Sequence, residues 1–345
     1  MELSLRELNR ATLARQLLLE RRTLSVPAAL ERLCAVQAQW PTAPYVALWS
    51  RVQGFDRAQL TRAYERRRIV RATLMRTTIH MLSGRDFLAL APVWRARRHE
   101  QLGAGATAAD DDVRAALADG APTHAELRRR VGNEIYNGRW GSPLPIVHVP
   151  PAGTWHYYGR VRLAEAERWL DGRLGDAPDG AALLVRRYLA AFGPASQADL
   201  LRFSGLRLKD VAAGLDALAL RRLRSGDGRT LLDLPRAPLP PADTPAPVRF
   251  LGRWDNAHLG YDRRARIVPD EYAERQIGLA GDQAFLVDGF VAGAWEVERT
   301  RTAATLRLEP FAPLPPAARR EVEGEAEQVV RWHEPEADAH RVRWS

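Results

Sequence analysis

The sequence has a single cysteine, a single lysine and no long apolar run, and each of these scarcities excludes a class of protein. Cys34 alone cannot form a disulfide within the chain, and a zinc site built from several thiolates is excluded as well. No stretch approaches the roughly 20 apolar residues that a membrane-spanning helix needs, and the N-terminus lacks the charged and apolar regions of a signal peptide. We therefore expect a cytoplasmic protein that has no membrane partner.

Histidines and glycines are too scattered to indicate a cofactor. No group of histidines has metal-ligand spacing, and no glycine-rich phosphate-binding loop is present. We predict that the protein uses no metal and no cofactor.

What the chain does have is positive charge on arginine. Its 345 residues carry a net charge of +9 with a pI of about 10.3, and Lys209 is the only lysine among them. This basic balance favours a polyanionic partner, and the planar guanidinium fork suits phosphates and guanine edges better than an ammonium does. Nucleic acid is therefore the expected partner. With 46% hydrophobic residues, the chain can also build two or three domains with substantial cores.

The most informative short stretch is a pair of glutamines where an amphipathic helix ends. Apolar residues recur at helical intervals from Val26 to Cys34, and Pro41 pushes Trp40 away from helical backbone, so the helix should end near here. Residues two apart point to the same side of extended chain, so Gln37 and Gln39 can converge on one point if the backbone unwinds at Gln37. Two such amides could hold a water molecule or a polar ligand edge. The alternative is a solvated pair at a helix end.

The order of predicted elements is that of a winged helix, and it occurs more than once. Small helices lead to a hairpin formed by strands at 69–74 and 78–82. The same order returns between Ala181 and Pro235, where Ser196 and Asp199 favour a helix start, Gly205 favours its end, and a glycine-rich hairpin follows. A third copy is plausible in 110–170, with a helix that begins at Thr123 and strands at 147–149 and 155–158.

The C-terminal part has a different pattern. Strands at 285–287 and 291–295 flank Asp288-Gly289, a strong hairpin signal, and 305–308 is a further strand. A helix at 315–332 is predicted to close the chain. The expected fold is therefore mainly α with small β-hairpins (α+β), with tandem winged-helix domains plus a small β-rich C-terminal subdomain. We place the four parts at residues 1–105, 106–178, 179–235 and 236–345.

Several stretches, taken together and in order, resemble the YcaQ/AlkZ-type family of winged-helix DNA glycosylases. Each stretch is weak alone, but the ordered set is specific and spans most of the chain. They are Leu33-Cys34-Ala35-Val36-Gln37-Ala38-Gln39, Ala43-Pro44-Tyr45, Leu48-Trp49-Ser50-Arg51, Leu74-Met75-Arg76-Thr77-Thr78-Ile79-His80, Pro151-Ala152-Gly153-Thr154-Trp155, Trp254-Asp255-Asn256, Arg264-Ala265-Arg266-Ile267-Val268, and 287–295.

The resemblance implies a monofunctional DNA glycosylase whose catalytic pair is Gln37 and Gln39. Glutamine rather than aspartate at position 39 is like the AlkZ branch, whose members excise N7-alkylguanine or unhook crosslinks made by DNA-alkylating natural products. It also implies three tandem winged helices with a basic concave surface, acting as a monomer on double-stranded DNA that contains an alkylated purine. One departure stands out, because Tyr261 and Arg263 occupy places where the family usually has a histidine and an aspartate.

Four residues outside the glutamine pair are candidates for DNA contacts. Arg76 lies at the first hairpin, and Arg264 and Arg266 alternate beside Ile267, so both arginines could grip phosphates from one face. Asn256 is the fourth candidate, although it could equally cap a turn. A solvated charge run is the alternative for the arginines.

Two other classes of function are the alternatives to a glycosylase. A non-catalytic winged-helix regulator would normally dimerise on a palindrome with strong sequence preference. A glycosylase should instead bind DNA with a steep salt dependence and little sequence preference. An RNA-binding or adaptor protein has no specific support in the sequence.

Overall fold

A computed structural model describes residues 1–118, 120–136, 143–275 and 281–345 of the chain. Within these residues the protein has a mixed fold of helices and small sheets, which confirms the predicted α+β class. The helices are α1 Leu5–Arg15, α2 Val26–Arg32, α3 Ala43–Trp49, α4 Arg57–Glu65, α5 Gly84–Leu102, α6 Ala106–Ala118, α7 His124–Val131, α8 Ala166–Leu170, α9 Ala177–Phe192, α10 Gln197–Ser204, α11 Leu208–Asp216, α12 Asn256–Leu259 and α13 Pro316–His333. The strands are β1 Glu2–Leu3, β2 Val36–Gln37, β3 Ile69–Thr73, β4 Ile79–Ser83, β5 Ile146–Val149, β6 Arg162–Glu165, β7 Arg221–Ser225, β8 Thr230–Asp233, β9 Arg249–Leu251, β10 Gln283–Val287, β11 Phe290–Arg299, β12 Ala303–Pro310 and β13 Ala339–Trp344.

Side-chain caps fix the starts of the winged-helix helices. Thr123 and Glu126 form a reciprocal capping box at α7, and Ser196 and Asp199 form one at α10. Each box satisfies two backbone N–H groups that the helix itself leaves unpaired. Gly205 ends α10 in left-handed backbone with a φ of 70°, which glycine adopts without a Cβ penalty. These predicted boundaries are confirmed.

The first winged helix shares its sheet with the middle part of the chain. The predicted hairpin forms from β3 and β4, but the full sheet has the order β2-β4-β3-β5-β6. The sheet therefore crosses the boundary placed at residue 105, and the four-part division stays a prediction. The strand predicted at 155–158 is wrong, because Trp155 and His156 lie in a turn, where His156 has a φ of 54°, and residues 157–158 belong to no strand. Its place beside β5 is taken by β6.

The third winged helix follows the predicted order. Helices α9, α10 and α11 lead to the antiparallel pair β7–β8. One strand was not predicted, since β1 pairs in parallel with β7 and joins Glu2 to Arg224. The N-terminus is therefore part of this sheet.

The C-terminal sheet has the order β13-β12-β11-β10-β9. Its central hairpin turns at Asp288-Gly289, where both residues have positive φ, as predicted. The predicted helix α13 is present but does not close the chain, because β13 follows it and pairs in parallel with β12. Val322, Val329 and Val330 of α13 belong to one core cluster with apolar residues of α2, α3 and α4, so this sheet packs on the N-terminal helices.

Candidate active site

Gln37 lies on a short strand that follows a sharp backbone reversal, and Gln39 lies two residues further on, just beyond the end of that strand. Helix α2 ends at Arg32, earlier than predicted, because Cys34 and Ala35 adopt left-handed backbone with φ of 57° and 73°. The chain then continues as β2, which places Gln37 opposite His80 of β4. The extended backbone on which the sequence argument depended therefore begins at Val36.

Both glutamine side chains are held by their carbonyl oxygens. Gln37 is buried, and its Oε1 accepts a hydrogen bond of 3.0 Å from Nη2 of Arg76. Gln39 is exposed, and its Oε1 accepts one of 3.2 Å from the backbone N–H of Ile79. Because both partners can only donate, these bonds fix which way each amide points. Neither amide nitrogen has a hydrogen-bond partner within the described part of the chain, and each carbonyl keeps a second lone pair.

The backbone of the motif is held from two further directions. Nδ2 of Asn256 donates to the carbonyl oxygen of Ala35 at 3.0 Å. Arg71 donates to the carbonyl oxygen of Ala38 from Nε at 3.2 Å and from Nη2 at 3.1 Å. These bonds come from elements far apart in sequence, so the geometry of Gln37 depends on the assembled fold. Such support is what a catalytic group needs in order to stay oriented.

Asn256 is itself positioned by a buried ion pair. Arg51 donates to both carboxylate oxygens of Asp255 at 2.8 and 2.7 Å, and both side chains are only 1% exposed. Asp255 also caps α12 by accepting from the N–H of Ala257 at 2.9 Å. Burial alone would raise the pKa of Asp255, but the charge and hydrogen bonds of Arg51 outweigh burial and hold that pKa below its ordinary value.

Arg71 is a support that sequence reasoning missed. Its side chain is buried and also contacts Nδ1 of His148. The space for it depends on Gly153, because a Cβ at that position would lie 2.4 Å from Cδ of Arg71. Two features of the sequence could have indicated this role. Arg71 is a charged residue inside the apolar strand β3, and Gly153 belongs to one of the stretches that resemble the family.

Arg76 links the motif to the third winged helix. Besides Gln37, it donates from Nη1 to the carbonyl oxygen of Phe203 at 2.5 Å, and its guanidinium lies 5.1 Å from the Phe203 ring centroid. Gly205 makes the close approach possible, since a Cβ there would lie 2.9 Å from Cα of Arg76. Burial, and then the charge of Arg202, lower the pKa of Arg76 to about 10, so it stays cationic at neutral pH.

The sequence model described as DNA glycosylase AlkZ-like matches residues 30–332. The chain belongs to the AlkZ-like DNA glycosylase family. The solved structure of Streptomyces sahachiroi DNA glycosylase AlkZ has a similar fold, with a TM-score of 0.78, 19% sequence identity and 100% of both chains covered. A comparison with curated protein sequences finds no match.

Two of the four predicted DNA contacts lie inside this glycosylase. Asn256 and Arg266 are 4% and 2% exposed, and Arg266 donates from Nη1 to the carbonyl oxygen of Pro194 at 2.6 Å. The expected alternation of Arg264 with Arg266 is wrong, because Ile267 N–H donates to the Arg264 carbonyl at 2.9 Å and closes a turn there. The structure supports packing roles for Asn256 and Arg266. DNA contacts by Arg76 and the half-buried Arg264 stay predictions.

The residues that depart from the family pattern do not contact the glutamines. The hydroxyl of buried Tyr261 hydrogen-bonds the Thr12 hydroxyl at 2.6 Å and the carbonyl oxygen of Phe192 at 2.7 Å. Arg263 is exposed and reaches Asp227 at 3.1 Å. Tyr261 therefore joins α1 to α9, and Arg263 lies on the surface.

Two further features adjoin Gln39. A cavity of about 190 Å³ lies between the first hairpin, α5 and β5, and Gln39 forms part of its lining. Trp40 follows Gln39 directly in the chain, and its exposed ring lies 5.5 Å from that of Tyr158. In the described residues, no helix is long and apolar enough to cross a membrane, and no cluster of three or more His, Cys, Asp or Glu side chains is arranged to hold a metal.

Proposed function

We propose that this glycosylase hydrolyses the N-glycosidic bond of cationic alkylated purines, with N7-alkylguanine as the main class. The observation that carries the proposal is the pair of oriented, uncharged amides of Gln37 and Gln39. Alkylation at N7 makes guanine a cation, so its glycosidic bond is already weakened and needs no general acid. What remains is an oxocarbenium-like sugar and an attacking water.

The two amides have different roles in this proposal. The second lone pair of each carbonyl oxygen can accept a hydrogen bond from the water or face the developing positive charge on the sugar. Gln37 is buried and held by Arg76, so it suits the role of orienting the water, whereas exposed Gln39 is closer to solvent and DNA. No carboxylate in the described residues hydrogen-bonds either amide. Such a site lacks a strong base and should act only on activated lesions.

We extend the proposal to bulky N7-guanine adducts and to interstrand crosslinks made by DNA-alkylating natural products, which would make the enzyme a self-resistance factor. Pockets that enclose drug-sized ligands measure about 300–1,000 Å³. The cavity beside Gln39 measures about 190 Å³, so a large adduct would have to stay outside it. Because Gln39 is exposed, a lesion at the surface could still reach it.

The scarcity of lysine supports a monofunctional reaction. Cleavage of the DNA strand by a bifunctional glycosylase needs an amine nucleophile that forms a Schiff base with the sugar. Lys209 is the only lysine in the sequence, and its ammonium pairs with Glu100 at 2.5 Å, on α5, rather than with the motif. We propose water as the nucleophile and a monomeric enzyme that acts on double-stranded DNA in the cytoplasm.

The substrate class is tested with duplexes that each contain one modified base. The panel consists of N7-methylguanine, a bulky N7-guanine adduct, a crosslink and unmodified guanine, and Gln37→Ala serves as the inactive control. We expect release of both N7 adducts, no release of guanine, and strand breakage only after alkaline treatment. Release of the small adduct alone would contradict the exposed-site proposal. Breakage without alkali would contradict the monofunctional assignment.

A further inference from the structure

Two exposed aromatic rings meet beside the catalytic motif. Trp40 is 39% exposed and Tyr158 is 62% exposed, and among the described residues they are the two aromatic side chains that stand out as large exposed hydrophobic groups. Their ring centroids lie 5.5 Å apart with an interplanar angle of 57°. The tilt means that neither ring covers the other as a parallel stack would. Single exposed apolar residues are common on protein surfaces, but adjacent exposed rings that form a patch indicate a candidate binding surface.

The pair is built on fixed elements. Trp40 follows Gln39 directly, and the Arg253 guanidinium lies 5.4 Å from its ring centroid. Tyr158 comes from the turn segment that Trp155 anchors, because the N–H of Trp155 donates to the Tyr45 hydroxyl at 3.2 Å and its ring packs 4.8 Å from that of His333. Two segments more than a hundred positions apart therefore bring their rings together next to Gln39.

We propose that Trp40 and Tyr158 form a stacking site for a nucleobase that flanks the lesion in the substrate duplex, next to the glycosidic bond on which Gln37 and Gln39 act. The location of that bond rests on the proposed function. Every base has a flat π-face, so stacking on tryptophan and tyrosine is strong and tolerant of sequence, as a repair enzyme requires. The Arg253 guanidinium lies over the Trp40 ring and donates to the carbonyl oxygen of Gly281 at 2.6 Å, so a positive charge that can attract phosphate is held near the rings.

Binding, rather than base release, gives the sharpest test. The probe is a duplex that contains a tetrahydrofuran abasic analogue, which holds no bond to cleave. We expect Trp40→Ala and Tyr158→Ala each to weaken its binding by about 5- to 150-fold, which is the range for loss of one base–aromatic stack. Tyr158→Phe should bind like the wild type, and Tyr158→Leu should behave like the alanine variant. Since the rings carry no charge, the dependence of affinity on salt should not change.

Leu5→Ala is the matched control, because Leu5 is 48% exposed but lies at the start of α1. The Tyr158 substitutions should not disturb folding, because the Tyr158 side chain is 62% exposed and contributes little to the core. Unchanged binding in both alanine variants would overturn the proposal. So would equal losses in Tyr158→Phe and Tyr158→Leu, which would indicate a role for the hydroxyl group.

A second experiment tests whether the two rings stack on a nucleobase or on an aromatic ring of the adduct. With N7-methylguanine, which has no adduct ring, a nucleobase site predicts slower release in both alanine variants. Loss confined to an adduct with an aromatic substituent would overturn the nucleobase assignment. The binding arm does not depend on catalysis, so failure of Gln37 as a catalytic residue would be seen separately from failure of the stacking site.

Discussion

Replacing Arg76 by methionine tests whether this residue orients Gln37 or binds DNA. Methionine keeps most of the length of the side chain but removes the bonds to Oε1 of Gln37 and to the carbonyl oxygen of Phe203. Hydrogen bonds that involve a charged partner contribute about 1.5–3 kcal/mol. If that energy holds Gln37 in its reactive orientation, base release should slow by about 10- to 150-fold, because each 1.36 kcal/mol corresponds to a factor of ten.

The assay is single-turnover release of N7-methylguanine, together with the affinity for undamaged duplex at several salt concentrations. A positioning role predicts slower release with an unchanged salt slope, whereas loss of one phosphate contact lowers the slope by about 1. Arg331→Met is the control, since Arg331 is an exposed arginine on α13. Wild-type release by Arg76→Met, or a reduced slope with unchanged release at saturating enzyme, would refute the positioning role.

Three further predictions concern the groups that support the motif. Arg51→Met should lower the free energy of unfolding in urea by about 3–5 kcal/mol, because it leaves the buried carboxylate of Asp255 unpaired; a loss below 1 kcal/mol would contradict this role. Gly153→Ala should lower stability and activity more than Gly54→Ala does. Both glycines have positive φ, but a Cβ would collide with Arg71 at position 153 and would meet nothing within 4 Å at position 54. Equal effects of the two substitutions would show that the loss comes from backbone strain alone. Burial lowers the pKa of His80 to about 3, so unfolding takes up a proton once the pH falls below about 6.5. The contribution of His80 to stability should therefore be constant above pH 6.5 and fall by up to about 1.4 kcal/mol per pH unit below it, and His80→Leu should remove that part of the pH dependence. An unchanged pH dependence would show that His80 does not contribute to it.

Local signals in the sequence predicted the parts of the fold that local chemistry determines. The caps at Thr123 and Ser196, the end of α10 at Gly205 and the turn at Asp288-Gly289 each depend on a few neighbouring residues. These features also gave the order of helices and hairpins, and hence the winged-helix repeats. The spacing of Gln37 and Gln39 indicated two amides that could converge, and the family resemblance implied that this pair is catalytic.

Features that depend on distant contacts were missed. Nothing near β3 in sequence indicates that it pairs with β5 through Arg71 and His148, or that Arg71 then holds the motif backbone. The left-handed residues Cys34 and Ala35 were also unexpected, because neither is glycine. Strand β13 resembles a polar tail, since its charged residues alternate with apolar ones and one face stays exposed.

The central claim is that Gln37 and Gln39 carry out base release. The most direct measurement is the single-turnover release of N7-methylguanine from a duplex by the wild type, Gln37→Ala and Gln39→Ala, with the affinity for the same duplex measured in parallel. We predict that both variants lose release while their DNA affinity stays close to that of the wild type. Retained release in both variants would contradict the claim and place the catalytic centre elsewhere on the protein.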